Sequence, residues 1–402
     1  MKYPFKPLSM FAQETSSCLH QQPEVDFYIA PNGSDSWSGK LPVPCGNDGP
    51  FRTLQRARDA VRELKHRKRN DIRVQIRGGI YRLEETVVFT VEDSGEGAQK
   101  IIYEAYPDEI PVFTSDREIT GWHKTSDDLP GLPAEARGHV YEAETQGHFY
   151  TLYDNQGRLR RARSKGFIPL EGGTHETLHF PNGWLKAWPN LEDVEIVIHP
   201  YHAWILNILP LVTVDEEAAV ARVRYPATYP MNELRYLRDT PSCWVENALE
   251  YLDEPGKWVL DSRRRKVYLW PRDGKKPEHV YAPSLIEYIR VEGLNDLHNG
   301  GDDIPVRNLC FRGLCFKHGD SYRVSEADAG LQHDWNFLDK ATALFHLRGA
   351  RDIVIEGCRF MDSGGDGLRA DLYAQSIHIR NNRFEHLGGL GILLCGYGAG
   401  TK

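Results

Sequence analysis

A pair of matching stretches near the C-terminal end constrains this chain more than any other feature. Ile353-Val-Ile355-Glu-Gly-Cys-Arg-Phe360 returns as Ile377-His-Ile379-Arg-Asn-Asn-Arg-Phe384, a step of 24 residues. A glycine pair follows each phenylalanine, Gly364-Gly365 and then Gly388-Gly389. Each pair leads into a short apolar strand, Gly367-Leu-Arg-Ala370 and then Gly391-Ile-Leu-Leu394. Leu309-Cys-Phe311-Arg-Gly-Leu-Cys-Phe316 fits the same template. A fixed period of this size marks a stack of like units, none of which can bury its apolar face alone. Three short strands per period, with alternating apolar positions, predict one turn of a parallel β-helix. Such a stack exposes a long flat side wall, which suits an extended polymer such as a polysaccharide.

A chain of 402 residues predicts two or three domains. The 36 glycines and the 40% hydrophobic fraction suit a turn-rich β protein. A net charge of −8 argues against a nucleic-acid or anionic-membrane partner. The one basic run, Lys65-His-Arg-Lys-Arg69, falls at the end of a predicted helix, where cations complement the helix dipole. The seven cysteines are scattered and form no CxxC pair, so no disulfide framework is expected. Cys310, Cys315, Cys358 and Cys395 fall in predicted strands, where cysteine packs as a small hydrophobe. No apolar run is long enough to span a bilayer, and no apolar segment follows Lys2 and Lys6. Neither a membrane helix nor a signal peptide is therefore read, and the compartment stays open.

Residues 1–24 read as an irregular leader. From 25 to 116 the pattern predicts an N-terminal cap and the first turns of the stack. Val25-Asp-Phe27-Tyr-Ile29, Ile72-Arg-Val74-Gln-Ile76, Thr86-Val-Val-Phe89 and Ile101-Ile-Tyr103 alternate as strands do. Leu54, Ala57, Val61 and Leu64 share one face of a helix predicted from about Thr53 to Arg67. Residues 117–290 break the rhythm and hold seven of the nine tryptophans. They predict an inserted antiparallel β domain, with Asp154-Asn-Gln-Gly157 as a hairpin turn. Residues 291–402 carry the remaining turns of the stack, with the repeat resuming from about Val306.

Side-chain alternation places the chemistry. Leu368 and Ala370 stack under Ile392 and Leu394 and point inward, so Gly367, Arg369 and Asp371 point outward. In the preceding turn Ala343, Phe345 and Leu347 take the matching outward places. On this reading Arg369 and Asp371 face solvent on the wall, and Asp362 and Asp366 lie in the turn that rims it. Two carboxyl groups flanking a glycosidic bond, one protonating the leaving oxygen and one acting as nucleophile or base, are what glycoside hydrolysis needs. Asp366 and Asp371 are the lead pair, with Arg369 orienting substrate or carboxylate. A surface ion pair between Arg369 and Asp371 is the competing account. The long segment between Phe316 and Ala343 precedes the same wall strand and carries His333-Asp334-Trp335. Trp335 would stack on a sugar ring, with His333, Asp334 and Asp362 as further substrate contacts. Equally, Trp335 pins the segment to the barrel.

Three motifs point elsewhere and are discounted. His175-Glu-Thr-Leu-His179 matches HExxH, but Gly172-Gly173 and Pro181-Asn-Gly183 leave no room for the helix that zinc binding needs. Gly396-Tyr-Gly-Ala-Gly-Thr-Lys402 has the flavour of a phosphate loop but inverts its Lys-Thr order. Asn32-Gly-Ser-Asp35 is explained by turn chemistry before calcium. No metal or other cofactor is called for.

Phe27-Tyr-Ile-Ala-Pro-Asn-Gly-Ser-Asp-Ser-Trp-Ser-Gly39, Gly49-Pro-Phe-Arg-Thr-Leu-Gln-Arg-Ala-Arg-Asp-Ala-Val61 and Arg77-Gly-Gly-Ile-Tyr81 resemble the opening of bacterial right-handed β-helix proteins. The group they resemble is glycoside hydrolase family 141, with its fucosidase- and xylanase-type members. Tyr251-Leu-Asp-Glu-Pro-Gly-Lys-Trp-Val-Leu-Asp261 and Val267-Tyr-Leu-Trp-Pro271 resemble the insert of the same proteins, and Arg307 to Phe316 their first turn after it. The resemblance implies a saccharide substrate and hydrolysis of O-glycosyl bonds. Such proteins continue for further turns, whereas this chain stops at Lys402 straight after a wall strand. It therefore implies that the family's catalytic carboxylates lie further on, and none maps onto a position here. The open last turn leads to an expectation of edge pairing, and hence of a homodimer through that end.

The fold expected is all-β: a right-handed parallel β-helix with an N-terminal capping helix and an inserted antiparallel β-rich domain. The function expected is hydrolysis of plant or algal polysaccharide by two carboxylates. A polysaccharide lyase, with Arg369 as base and acidic residues holding calcium, and a non-catalytic glycan-binding or structural stack both stay open.

Overall fold

The computed structural model describes residues 24–296, 303–329 and 339–397. The chain is mostly β, with parallel sheets. Among the described residues one α-helix is present, and no helix is long and apolar enough to cross a membrane.

The repeat step becomes a register. Phe360 pairs with Phe316 on one side and Phe384 on the other, in parallel strands Cys315–Lys317, Arg359–Ser363 and Arg383–Leu387. Phe113 and Tyr81 extend the column. The five rings stack face to face with centroids 5.1, 5.6, 5.4 and 4.9 Å apart in order. Each such pair contributes about 0.5–1.5 kcal/mol beyond the area it buries. A second column runs Phe27, Val74, Tyr103, Phe311, Ile355 and Ile379. A third runs Phe89, Val291, Leu347, Ala370 and Leu394. All but the last levels of these columns are buried in one core. Like side chains at like positions keep each neighbour's apolar face covered, which is why the period is so plain in the sequence.

Backbone strain marks the bends between strands. Gly313, Gly357 and Asn381 occupy matching places and all take positive φ, at 68°, 63° and 55°. Asn382 then closes its bend with its side chain: Oδ1 accepts from the Cys358 N–H at 2.8 Å, and Nδ2 donates to the Ile355 carbonyl at 2.9 Å. The glycine doublets serve another purpose. A Cβ on Gly364 would lie 2.4 Å from Thr151 Cγ2, and one on Gly388 would lie 2.5 Å from Arg158 Nη1. Gly364 is hemmed in by Thr151 and the Ser321 backbone, whereas Gly388 admits no side chain because its Cβ would lie 2.2 Å from the Gly364 carbonyl oxygen.

Two sequence expectations are corrected. Ala343, Phe345 and Leu347 do not point outward; Phe345 and Leu347 are core residues, paired with Leu368 and Ala370. The register is 23 residues over Ala343–Leu347 and returns to 24 from Ala350 onward, because a bulge intervenes between Arg348 and Ala350. Gly349, at φ 86°, and Leu372, at φ 54°, take up the extra residue. Parallel pairing also resumes earlier than Val306, since Ile289–Glu292 lies between Val87–Thr90 and Ala343–Glu356.

The N-terminal helix forms as its pattern predicts, at Leu54–Lys65, with Leu54, Ala57, Ala60 and Val61 buried. Thr53 caps it, and Asp35 accepts from the Arg52 and Thr53 N–H groups at 2.9 and 3.0 Å. Between Arg117 and Ala282 the pairing is almost wholly antiparallel, in three sheets with their own apolar clusters. The hairpin at Asp154–Gly157 is present. Thr177–His179 is a strand rather than a helix.

Candidate active site

On the outer face of the parallel sheet, the residues alternating with the third column are polar. Arg290, His346 and Arg369 form one row, and Glu292, Arg348 and Asp371 the next. Opposite charges meet along and across these rows. Arg348 pairs with Glu292 at 2.6 Å and with Asp339. His346 Nδ1 lies 2.8 Å from Glu287 Oε2, and its Nε2 lies 3.0 Å from Asp371 Oδ2. Arg369 Nε donates to Asp371, and its Nη1 donates to Thr342 Oγ1 at 3.0 Å. Thr342 in turn donates to Asp366 Oδ2 at 2.6 Å. A continuous chain therefore runs Asp366, Thr342, Arg369, Asp371, His346, Glu287.

The outward parity read for Arg369 and Asp371 is present, but their exposure is not: both are 0% exposed. Thr342 and the strand Ile392–Gly396 flank them, with Cys395 Sγ accepting from Arg369 at 3.7 Å. Alternation predicts which way a side chain points, and it is silent on what lies across it. Burial opposes the charge of Asp371, yet hydrogen bonds from His346 and Arg369 outweigh it and hold the carboxyl below its usual range. Burial likewise opposes the charge on His346, and hydrogen bonds to Asp371 and Glu287 outweigh it and raise its pKa. With carboxylates at both ring nitrogens, the imidazolium is the form that donates to each.

Asp366 is 8% exposed, and its Oδ1 accepts from the Leu390 N–H at 2.6 Å, so it also ties two repeats together. Asp362 stands apart, with no contact to this chain of groups among the described residues. It is half-buried with φ 46°, and its Oδ1 lies 3.2 Å from His386 Nδ1. His333, Asp334 and Trp335 lie outside the described residues. His346 and Glu287 were not read from the sequence. The signal was there for His346, a lone polar residue between the core residues Phe345 and Leu347.

A second feature lies where the antiparallel region meets the repeats. A cleft of about 810 Å³ is lined by Tyr150, Arg158, Arg161, Ile208, Arg323 and Gly388, among others. Tyr150 holds two guanidiniums over its ring, Arg323 at 4.3 Å and Arg161 at 5.5 Å. Buried Glu195 pairs with both arginines. Burial opposes its charge, and the two arginines outweigh that and hold its pKa low. Behind the lining, Asp320 accepts from the Tyr150 N–H at 3.0 Å, from Thr151 Oγ1 at 3.0 Å and from the Ser321 N–H at 2.8 Å. Burial nonetheless raises the Asp320 pKa. Among the described residues no group of His, Cys, Asp and Glu side chains is arranged to hold a metal ion.

No protein-family model and no curated protein matches the chain. A solved structure described as a glycoside hydrolase does, with a TM-score of 0.68 and 20% sequence identity, covering 91% of this chain and 74% of the other. The two share their fold. A second structure, described as the complex of XylC with xylose, has a TM-score of 0.37 and 13% identity over 90% of this chain and 54% of its own. Its overlap is too loose to bear on the fold.

Proposed function

We propose that this chain is a carbohydrate-active protein, a glycoside hydrolase acting on polysaccharide. Its parallel sheets wind as a right-handed β-helix, and an antiparallel domain is inserted over about residues 117–288. The observation that carries this reading is the fold shared with a glycoside hydrolase across nine-tenths of the chain. Two features favour placing the chemistry on the outer face. Asp371 is held ionised between an imidazolium and a guanidinium, which suits a nucleophile or base and not a proton donor. Asp366, joined to it through Thr342 and Arg369, is the nearest partner along that chain of hydrogen bonds and would supply the second carboxyl. Trp335, with His333 and Asp334, would contact the sugar.

The test is release of reducing ends from xylan, pectin and fucosylated glycans. Asp371→Asn is expected to lower turnover by about 10²–10⁴-fold while leaving binding intact. Turnover by Asp371→Asn at the normal rate would remove the outer face from the mechanism.

A glycan-binding role without turnover is the second reading. It is favoured by the burial of Arg369 and Asp371, since a fully paired and covered network needs no substrate to complete it. Retained binding with no release from any glycan by the unaltered protein would decide for it.

A further inference from the structure

We propose that the cleft between the antiparallel region and the repeats binds the carboxylate of a uronic-acid residue, so that the glycan this protein takes is acidic. The inference rests on the carbohydrate reading above and adds the substrate class. Seven cationic side chains line the cleft against three carboxylates, in a chain whose net charge is −8. Adding Glu195 and Asp320 behind the lining still leaves seven against five. The pairing is uneven in a telling way. Glu254 takes Arg160 at 2.9 Å, Glu246 takes Arg163 at 2.8 Å, and Asp253 takes Lys257. Arg158 and Lys165 have no carboxylate partner among the described residues, and Arg158 donates only to the Ser363 carbonyl, at 3.3 Å.

The two arginines over Tyr150 give the second observation. The Arg161 side chain is 7% exposed, and its Nε has no hydrogen-bond partner among the described residues. Arg323 faces the same carboxylate, with its Nε 3.4 Å from Glu195 Oε1. Glu195 holds both guanidiniums against the Tyr150 ring, which fixes the two forks at the wall of the cleft before any ligand arrives. The planar fork of arginine matches a carboxylate through two parallel bonds, which a point charge does not. Val197, Leu206 and Ile208 supply apolar surface on the same cleft for the C–H face of a sugar ring.

The experiment is calorimetric titration of the full chain with four probes at matched length. These are oligogalacturonate, the same oligosaccharide as its methyl ester, a neutral xylo-oligosaccharide and a sulfated oligosaccharide. The acid form is expected to bind at least about tenfold tighter than its ester, with the preference falling as salt rises. Arg158→Ala with Lys165→Ala, both at exposed positions, is expected to remove most of that preference with the circular dichroism unchanged. Arg323→Lys keeps the charge and is expected to lose it in part, because the fork is gone. Asp371→Asn is expected to leave it alone. Equal binding of acid and ester overturns this inference and leaves the carbohydrate reading standing. Tighter binding of the sulfated probe than of the uronate overturns the carboxylate assignment. Binding of none of the four overturns the carbohydrate reading itself.

Discussion

His346 is the residue on which the outer-face network turns, because it bridges the Asp371 and Glu287 carboxylates. Its folded pKa is raised above the ordinary value, so protonation is favoured by folding. The stability it contributes is present in full below about pH 6.5 and is lost as pH rises through the raised value. Asp371 runs the opposite way, since its folded pKa is lowered. Its contribution is present above about pH 4 and is lost as pH falls through the lowered value. The network as a whole is therefore most stabilising between those limits. Melting temperature measured from pH 4 to 9 is expected to decline on the alkaline side above about pH 6.5. His346→Gln is expected to flatten that decline, because glutamine keeps a polar group at the site and does not titrate. An unchanged alkaline slope in His346→Gln would mean that the ring is neutral and that Asp371 relies on Arg369 alone.

At the scale of the element, the ring column fixes the register of three short strands that have little else to hold them. Phe360 stacks on both Phe316 and Phe384 and is fully buried. Phe360→Ala is expected to cost about 3–5 kcal/mol in denaturant unfolding, against much less for the same change at half-buried Phe384. A loss under about 1 kcal/mol would show that the strands hold register without the rings. The same elements show why part of the structure was legible. Ile355 over Ile379 and Phe360 over Phe384 repeat because each position sees the same neighbour in each repeat. The bulge was not legible, since the extra residue falls on the Asp366–Arg380 strand, where Leu372 and Tyr373 together oppose Gly349. Extending the 24-residue step through it moved Phe345 from the core to the surface. The apolar–polar alternation of Phe345, His346 and Leu347 is local evidence that outranks a count carried across a glycine. The burial of Asp371 was not legible either, because the groups packed against it include His346 and Cys395, which come from the repeats on either side.

At the scale of the molecule, the antiparallel region is attached to the repeats by polar contacts rather than by a shared apolar core. Its clusters are separate from that of the repeats. The cleft lining spans residues 150 to 388, and no sequence window contains it. The attachment concentrates on one loop. Tyr153 donates through its hydroxyl to the Gly319 carbonyl at 2.6 Å, and the Asp320 carboxylate accepts from both Tyr150 and Thr151. Gly319 and Asp320 belong to the repeats, and the tyrosines and threonine to the antiparallel region. Asp320→Ala leaves buried donors at Tyr150, Thr151 and Ser321 without an acceptor, at a cost of roughly 2–4 kcal/mol. That cost falls on the junction and not on either core, so it lowers the coupling between the two parts more than the stability of each. Calorimetry of the unaltered chain is expected to show one transition. The Asp320→Ala variant is expected to split it in two, the antiparallel region melting first, with binding in the cleft lost because Tyr150 and Arg323 no longer face each other. A single transition shifted bodily to lower temperature would instead mean that the two parts unfold as one unit whatever the junction contributes.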